Sequence, residues 1–105
     1  MVKAIRVEKT GAPGVMKIKD VDLAKPGAGQ ARVRHTAIGL NFIDIYQRTG
    51  LYPMPLPFTP GQEGAGIVEA VGRGVTRIKP GDHVAYAGLT GSYSEAWNFS
   101  ADRLV

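Results

Sequence analysis

No cysteine occurs anywhere in the 105 residues. That excludes disulfides and any thiolate metal site built from this chain, and it fits a reducing cytoplasm. Long apolar runs are missing as well: no stretch approaches the ~18 residues of a membrane span, and Met1-Val2-Lys3 leads into a strand, not into the apolar core of a secretion signal. The expectation is a soluble, cytoplasmic protein with no membrane partner. Blocks of like charge are also lacking. The 13 basic and 9 acidic residues leave a net +4, spread as Lys17/Lys19, Arg32/Arg34 and Arg73/Arg77/Lys79. Such scatter reads as solvated strand faces and gives no nucleic-acid surface, although it can help attract an anionic cofactor.

What the chain has in quantity is turn chemistry. Its 14 glycines and 7 prolines cut it into short segments, which favours an all-β barrel or sandwich over a helix bundle, and the length has room for one domain. Val2 to Glu8 reads as an opening strand. The parity of apolar positions changes between Met16-Lys17-Ile18-Lys19 and Val21-Asp22-Leu23, predicting a bulge near Asp20 or a strand that ends there. Both Lys25-Pro26-Gly27-Ala28 and Lys79-Pro80-Gly81-Asp82 carry Pro second and Gly third, the preference of a type II turn. Between Gln30 and Ile38, Arg32, Arg34 and Thr36 take one face and Val33, His35 and Ala37 the other, so His35 points inward or toward a barrel rim and reads as a hydrogen-bonded structural residue. Gly64 to Gly72 reads as a strand covered on both faces, His83 to Ala87 as another. Tyr93, Glu95, Trp97 and Phe99 alternate with Ser94, Ala96, Asn98 and Ser100 as a further strand.

The stretch from Ile38 to Gly66 interrupts this pattern, and only Asp44, Arg48 and Glu63 carry charge in it. Asn41 is a good N-cap, Asp44 three residues later can answer it, and Gly50 suits the left-handed residue after a helix, so two helical turns are predicted between them. Phe42, Ile45 and Tyr46 then share one face. Four prolines between Leu51 and Pro60 suppress helix and central strand while stiffening the loop. An apolar, stiff loop beside a short amphipathic helix predicts a pocket lining.

Three segments in register, GLNFIDIYQRTGLYP, PGQEGAGIVEAVGRGV and IKPGDHVAY, together resemble the N-terminal part of the medium-chain dehydrogenase/reductases, most of all the zinc-independent quinone oxidoreductases. The resemblance spans essentially the whole chain. It implies a mainly β fold, a GroES-like, partly open β-barrel with one or two short helices, forming a catalytic domain over residues 1–105. In the zinc-dependent relatives the first segment holds a metal-binding Cys and the second a His before the Glu. Here those places hold Asn41 and Gln62, so no zinc site is expected.

By the same resemblance, Asn41, Phe42 and Gln62 lie beside the nicotinamide end of NADPH. Tyr46 and Tyr52, with Asn41, border a quinone or enone acceptor as the candidate catalytic set. Structural readings stand beside each of these: Asn41 as a helix cap, Gln62 bonded to backbone, Phe42 as core, and each tyrosine packed in the barrel wall. Asp44 reads as structural. No Gly-rich pyrophosphate turn is present, since Gly64-Ala65-Gly66 is followed by Glu69 and a strand. The Rossmann domain of the family is therefore expected outside this chain, the parent protein as a homodimer, and the 105 residues alone as inactive or very weak. Two other readings use the same barrel: a co-chaperonin-like structural protein and a non-enzymatic binding module.

Overall fold

A computed structural model describes all of residues 1–105. Six strands and one α-helix follow in the order β1 (Val2–Val7), β2 (Met16–Val21), β3 (Gln30–Ile38), α1 (Phe42–Thr49), β4 (Glu63–Val71), β5 (His83–Ala87) and β6 (Ala96–Ser100). Single 3₁₀ turns stand at Pro13–Val15 and Ala101–Arg103. The fold is mainly β, as expected.

Two sheets form, β1-β2 and β5-β4-β3-β6, every neighbouring pair antiparallel. The segment 93–95 couples them. Ile5 N–H donates to Tyr93 O (2.8 Å) and Glu95 N–H to Lys3 O (2.9 Å), while His35 N–H donates to Glu95 O (2.8 Å). The sheets stay open and do not close into a complete barrel. Apolar side chains from β3, β4, β5 and β6 meet in one core around Val33, Val68, Val84 and Phe99, sealed at one end by Leu104.

The strand positions hold, but β4 is not covered on both faces, since only Gly66 and Val68 on one face are buried. Ala37 is exposed where the register of β3 against β4 shifts between His35 and Ala37. There are three further refinements. β2 runs in regular register against β1, Val2 opposite Val21 and Val7 opposite Met16, and then ends, so the parity change marks a strand end and no bulge. The turn expected at Lys25–Ala28 sits two residues later: Gln30 N–H donates to Gly27 O at 3.0 Å, with Gly29 (φ 75°) in third place. Pairing of β3 with β4 sets this frame, because Gly72 N–H reaches Gln30 O (2.7 Å) and Gly29 N–H reaches Arg73 O (3.0 Å). The second turn is as predicted, with Asp82 N–H on Lys79 O (3.1 Å) and Gly81 at φ 95°. Lastly, burial between residues 93 and 100 does not follow strict alternation. Ala96 and Phe99 are both buried, because the chain there passes from the junction of the two sheets into the β3 ladder.

His35 does point inward. Its Nδ1 lies 2.9 Å from Ser94 O, a carbonyl that can only accept, so Nδ1 carries the proton and Nε2 accepts from Tyr86 Oη at 2.6 Å. Burial lowers the pKa of His35 and raises that of Tyr86, which holds the neutral ring and the protonated phenol in this arrangement.

Candidate functional site

Helix α1 starts and stops where the residues dictate. Asn41 is extended (φ −133°), its N–H donates to Asp44 Oδ2 at 3.0 Å, and Gly50 ends the helix in the left-handed region at φ 90°. The helix is strongly amphipathic, yet it lies with its polar side inward. Asp44 (3% exposed) and Gln47 (7%) are its buried residues, whereas Phe42 is 77% exposed and Leu40, Ile45 and Tyr46 also face out.

Burying a polar face is costly unless its groups find partners, and Asp44 Oδ1 is the one buried side-chain oxygen of α1 left without one. Asp44 Oδ2 accepts a second hydrogen bond from Tyr93 Oη at 2.8 Å. Burial, and then the Asp44 carboxylate itself, push the Tyr93 phenol pKa well up, so Tyr93 stays a donor. Gln47 Oε1 accepts from Gln62 Nε2 (3.2 Å), which also donates to Thr90 Oγ1 (2.9 Å). Arg48 Nε reaches Gly11 O at 3.1 Å.

The segments carrying these partners are themselves zipped together. Gly88 N–H donates to Gln62 O (2.8 Å), Gly91 N–H to Gly61 O (3.0 Å) and Tyr93 N–H to Pro60 O (2.9 Å). Residues 60–62 and 88–93 thus make a two-stranded seat on which the polar side of α1 rests.

On the outer side, Tyr46 and Tyr52 meet edge to face with ring centroids 5.3 Å apart, and Tyr52 N–H donates to Tyr46 O at 3.1 Å. Leu40, Asn41, Phe42 and Ile45 line a hollow of about 330 Å³. A second hollow, about 300 Å³, runs along the ends of β3 and β4 between Ile38, Gly39, Glu63, Gly64 and Tyr86.

Of the five residues singled out from sequence, Asn41 and Phe42 share a hollow, Tyr46 and Tyr52 touch each other, and Gln62 is tied to the helix through Gln47. Neither hollow contains all five. They belong instead to one open apolar shelf and the polar seat beneath it. Phe42 is not core, and the Gln62 side chain bonds other side chains instead of backbone. Sequence reasoning missed Gln47, Thr90 and Tyr93 as parts of the site, and it placed Tyr93 only in a strand pattern. The one available signal was the helical spacing of Asp44 and Gln47, which puts both polar groups on one face. No three His, Asp or Glu side chains gather as a metal would require.

Residues 27–105 match the model of the alcohol dehydrogenase GroES-like domain. The chain is 53% identical to a quinone oxidoreductase of Pseudomonas aeruginosa, over 100% of this chain and 33% of that protein. Its structure superposes on a quinone oxidoreductase of Pseudomonas syringae with a TM-score of 0.96 and 50% identity, covering 100% of this chain and 33% of that one. The Escherichia coli quinone oxidoreductase crystallised with NADPH gives 0.94 and 45%, covering 98% of this chain and 32% of that one. This chain therefore spans about a third of the length of these relatives. By fold, motif and identity it belongs to the alcohol dehydrogenase GroES-like domain family of the medium-chain dehydrogenase/reductases, with quinone oxidoreductases as its relatives.

Proposed function

We propose that this chain is the substrate-facing part of an NADPH-dependent reductase that delivers hydride, without a metal, to a quinone or an activated enone. The observation carrying this reading is the inverted helix. An exposed shelf of Leu40, Phe42, Ile45, Tyr46 and Tyr52 has the flat, apolar character that a nicotinamide or quinone ring needs, and it is held rigidly from below by hydrogen bonds.

The residues present fit one end of the cofactor. Phe42 and Ile45 offer an apolar face to a ring, and Asn41 and Gln62 offer amides at its edge. Nothing in the chain resembles a pyrophosphate cradle, so in this reading a Rossmann domain outside these residues holds the phosphates. When bound, NADPH supplies the hydride. The chain's own contribution is to position the acceptor, exclude water along the shelf, and donate hydrogen bonds from the Tyr46 and Tyr52 hydroxyls to the oxygen that gains charge. Those neutral donors suffice because quinones and enones are already electrophilic, whereas an ordinary ketone profits from a Lewis acid.

The test compares the full-length protein carrying this chain with the 105 residues alone, following NADPH absorbance in the presence of 1,4-benzoquinone. Turnover by the full-length protein and little or none by the 105 residues is the expected result. Absence of NADPH oxidation by the full-length protein with any quinone or enone would refute the reading, and parent-like turnover by the 105 residues would refute the half-site.

A further inference from the structure

The end of β3 is paired on one side only. Its ladder with β6 stops at Arg34 opposite Ala96, and one more bond, His35 N–H to Glu95 O at 2.8 Å, closes it. From there the segment 93–95 turns to β1, with Ser94 opposite Ala4, so Thr36, Ala37 and Ile38 keep β4 as their one neighbouring strand. Gly39 N–H donates to Glu63 O on the β4 side. Successive residues of a strand turn their backbone groups to opposite sides, so the N–H and C=O of Ile38 face away from β4, toward the unpaired side.

That side is also apolar. Ile5 and Ile18 stand opposite each other across β1 and β2, and together with Ala4, Ile38 and the segment 93–95 they line a groove of about 400 Å³. Ile18 is 72% exposed and Ile38 49%. The charged groups beside the groove are already engaged, since Lys3 Nζ lies 3.0 Å from Asp20 Oδ1 and Lys3 N–H donates to Glu95 Oε1 at 2.6 Å. What remains on offer is a strand edge and bare isoleucines.

We propose that this edge and groove seat an extended segment of the same polypeptide from outside residues 1–105, whose backbone pairs with Ile38 and whose alternate apolar side chains cover Ile5 and Ile18. An unpaired edge beside exposed apolar side chains is a template for strand addition, and folded proteins cover such edges. The chain spans about a third of the length of its quinone oxidoreductase relatives, so the rest of a protein of that length is at hand to supply the cover. A second copy of this chain fits less well. The free edge spans only residues 36–38, whereas a stable interface between separate molecules buries at least roughly 1,200 Å². A tethered segment needs far less contact, because its effective concentration is high. The inference is independent of what the outer side of α1 binds.

Photocrosslinking in the full-length protein carrying this chain tests the proposal. The photoreactive residue p-benzoylphenylalanine replaces Ile18, which is exposed enough here to accept it. After irradiation the expected product runs as a single chain on a denaturing gel, and peptide mass spectrometry places the link on a residue beyond Val105. A link between two copies, a link to another protein, a link confined to residues 1–105, or no link at all overturns the proposal. Amide hydrogen exchange, read residue by residue in the unsubstituted full-length protein, checks the backbone pairing without any substitution. The Ile38 amide should exchange at least about 100-fold more slowly than an unprotected amide, and weaker protection overturns the pairing.

Discussion

Tyr93 donates its hydroxyl to Asp44 Oδ2 across 2.8 Å, joining the segment before β6 to the inward side of α1. This contact makes an otherwise improbable orientation stable, because it helps keep a carboxylate that is 3% exposed from going unpartnered. Tyr93→Phe removes the hydroxyl without changing the ring. The buried acceptor then keeps only Asn41 N–H, and the expected loss of stability is about 1–3 kcal/mol. Tyr52→Phe, at an exposed position, should stay within about 0.5 kcal/mol of wild type. Urea midpoints at unchanged slope measure both. Equal midpoints for Tyr93→Phe and wild type would mean that the bond contributes nothing.

The seat beneath the helix depends on Gly61. Its φ of 102° lies in the region that L side chains avoid, and a methyl group there would run into Ser92 Oγ and the Tyr93 ring. Gly61→Ala adds backbone strain of about 1–3 kcal/mol to overpacking of about 1–3 kcal/mol, enough to threaten folding. Gly74 is the control. It has φ 82° but open space where a methyl would go, so Gly74→Ala should cost only the left-handed penalty of about 1–2 kcal/mol. Denaturation of the two variants side by side should rank Gly61→Ala clearly below Gly74→Ala, and the reverse order would contradict the packing described for residues 60–62 and 88–93.

Stability should fall as pH drops below about 6.5, and His35 should be the cause. Burial against Tyr86 and Phe99 lowers its pKa in the folded state and outweighs the hydrogen bond to Ser94 O, which acts the other way. The unfolded chain, with an ordinary His pKa near 6.5, therefore binds more protons in the window between the two values. Stability from this group is complete above the unfolded pKa and is lost as pH falls toward the folded one. Glu8 and Asp82 also have lowered values, held down by Lys19 and Lys79, and their contributions fade only at more acidic pH. Denaturant midpoints at about pH 7.5 and about pH 5.5 should differ in wild type and differ less in His35→Leu, whatever the absolute stability of that variant. An identical pH dependence in both proteins would assign the effect elsewhere.

How much of this is legible in the sequence depends on how local each feature is. The helix from Asn41 to Gly50 and the turn at Lys79–Asp82 are fixed by residues within ten positions of each other, and both stand where the residues put them. The turn near Gly27 was misplaced because two glycines competed and β-pairing with residues 72 and 73, far along the chain, decided between them. Periodicity revealed that α1 is amphipathic but not which side meets the core, since that choice belongs to Tyr93 and Gln62, distant in sequence. The usual assumption, apolar side inward, would have reversed the helix and buried the shelf. Cofactor and acceptor residues came from family likeness alone. Thr90 lay outside that likeness, and only the tertiary structure brings its hydroxyl to Gln62.

Phe42 separates folding from function most sharply. A ring that is 77% exposed on the helix adds little to the stability of this chain, so Phe42→Ser should change the urea midpoint of the 105 residues by less than about 0.5 kcal/mol. In the full-length protein the same ring is expected to be covered by the cofactor. Covering a phenylalanine is worth roughly 1.5–3 kcal/mol, so Phe42→Ser should weaken NADPH binding about 10- to 100-fold. A core residue behaves in the opposite way: Val33, fully buried, should destabilise the fold when truncated, through the cavity it leaves. Fluorescence titration of NADPH and urea unfolding, run on the same two variants, give a crossed pattern if the shelf is a ligand surface. If Phe42→Ser instead unfolds the 105 residues while the full-length protein keeps its affinity, then the outward face of α1 serves the fold, and the reading of it as a place for a reducible ring is lost.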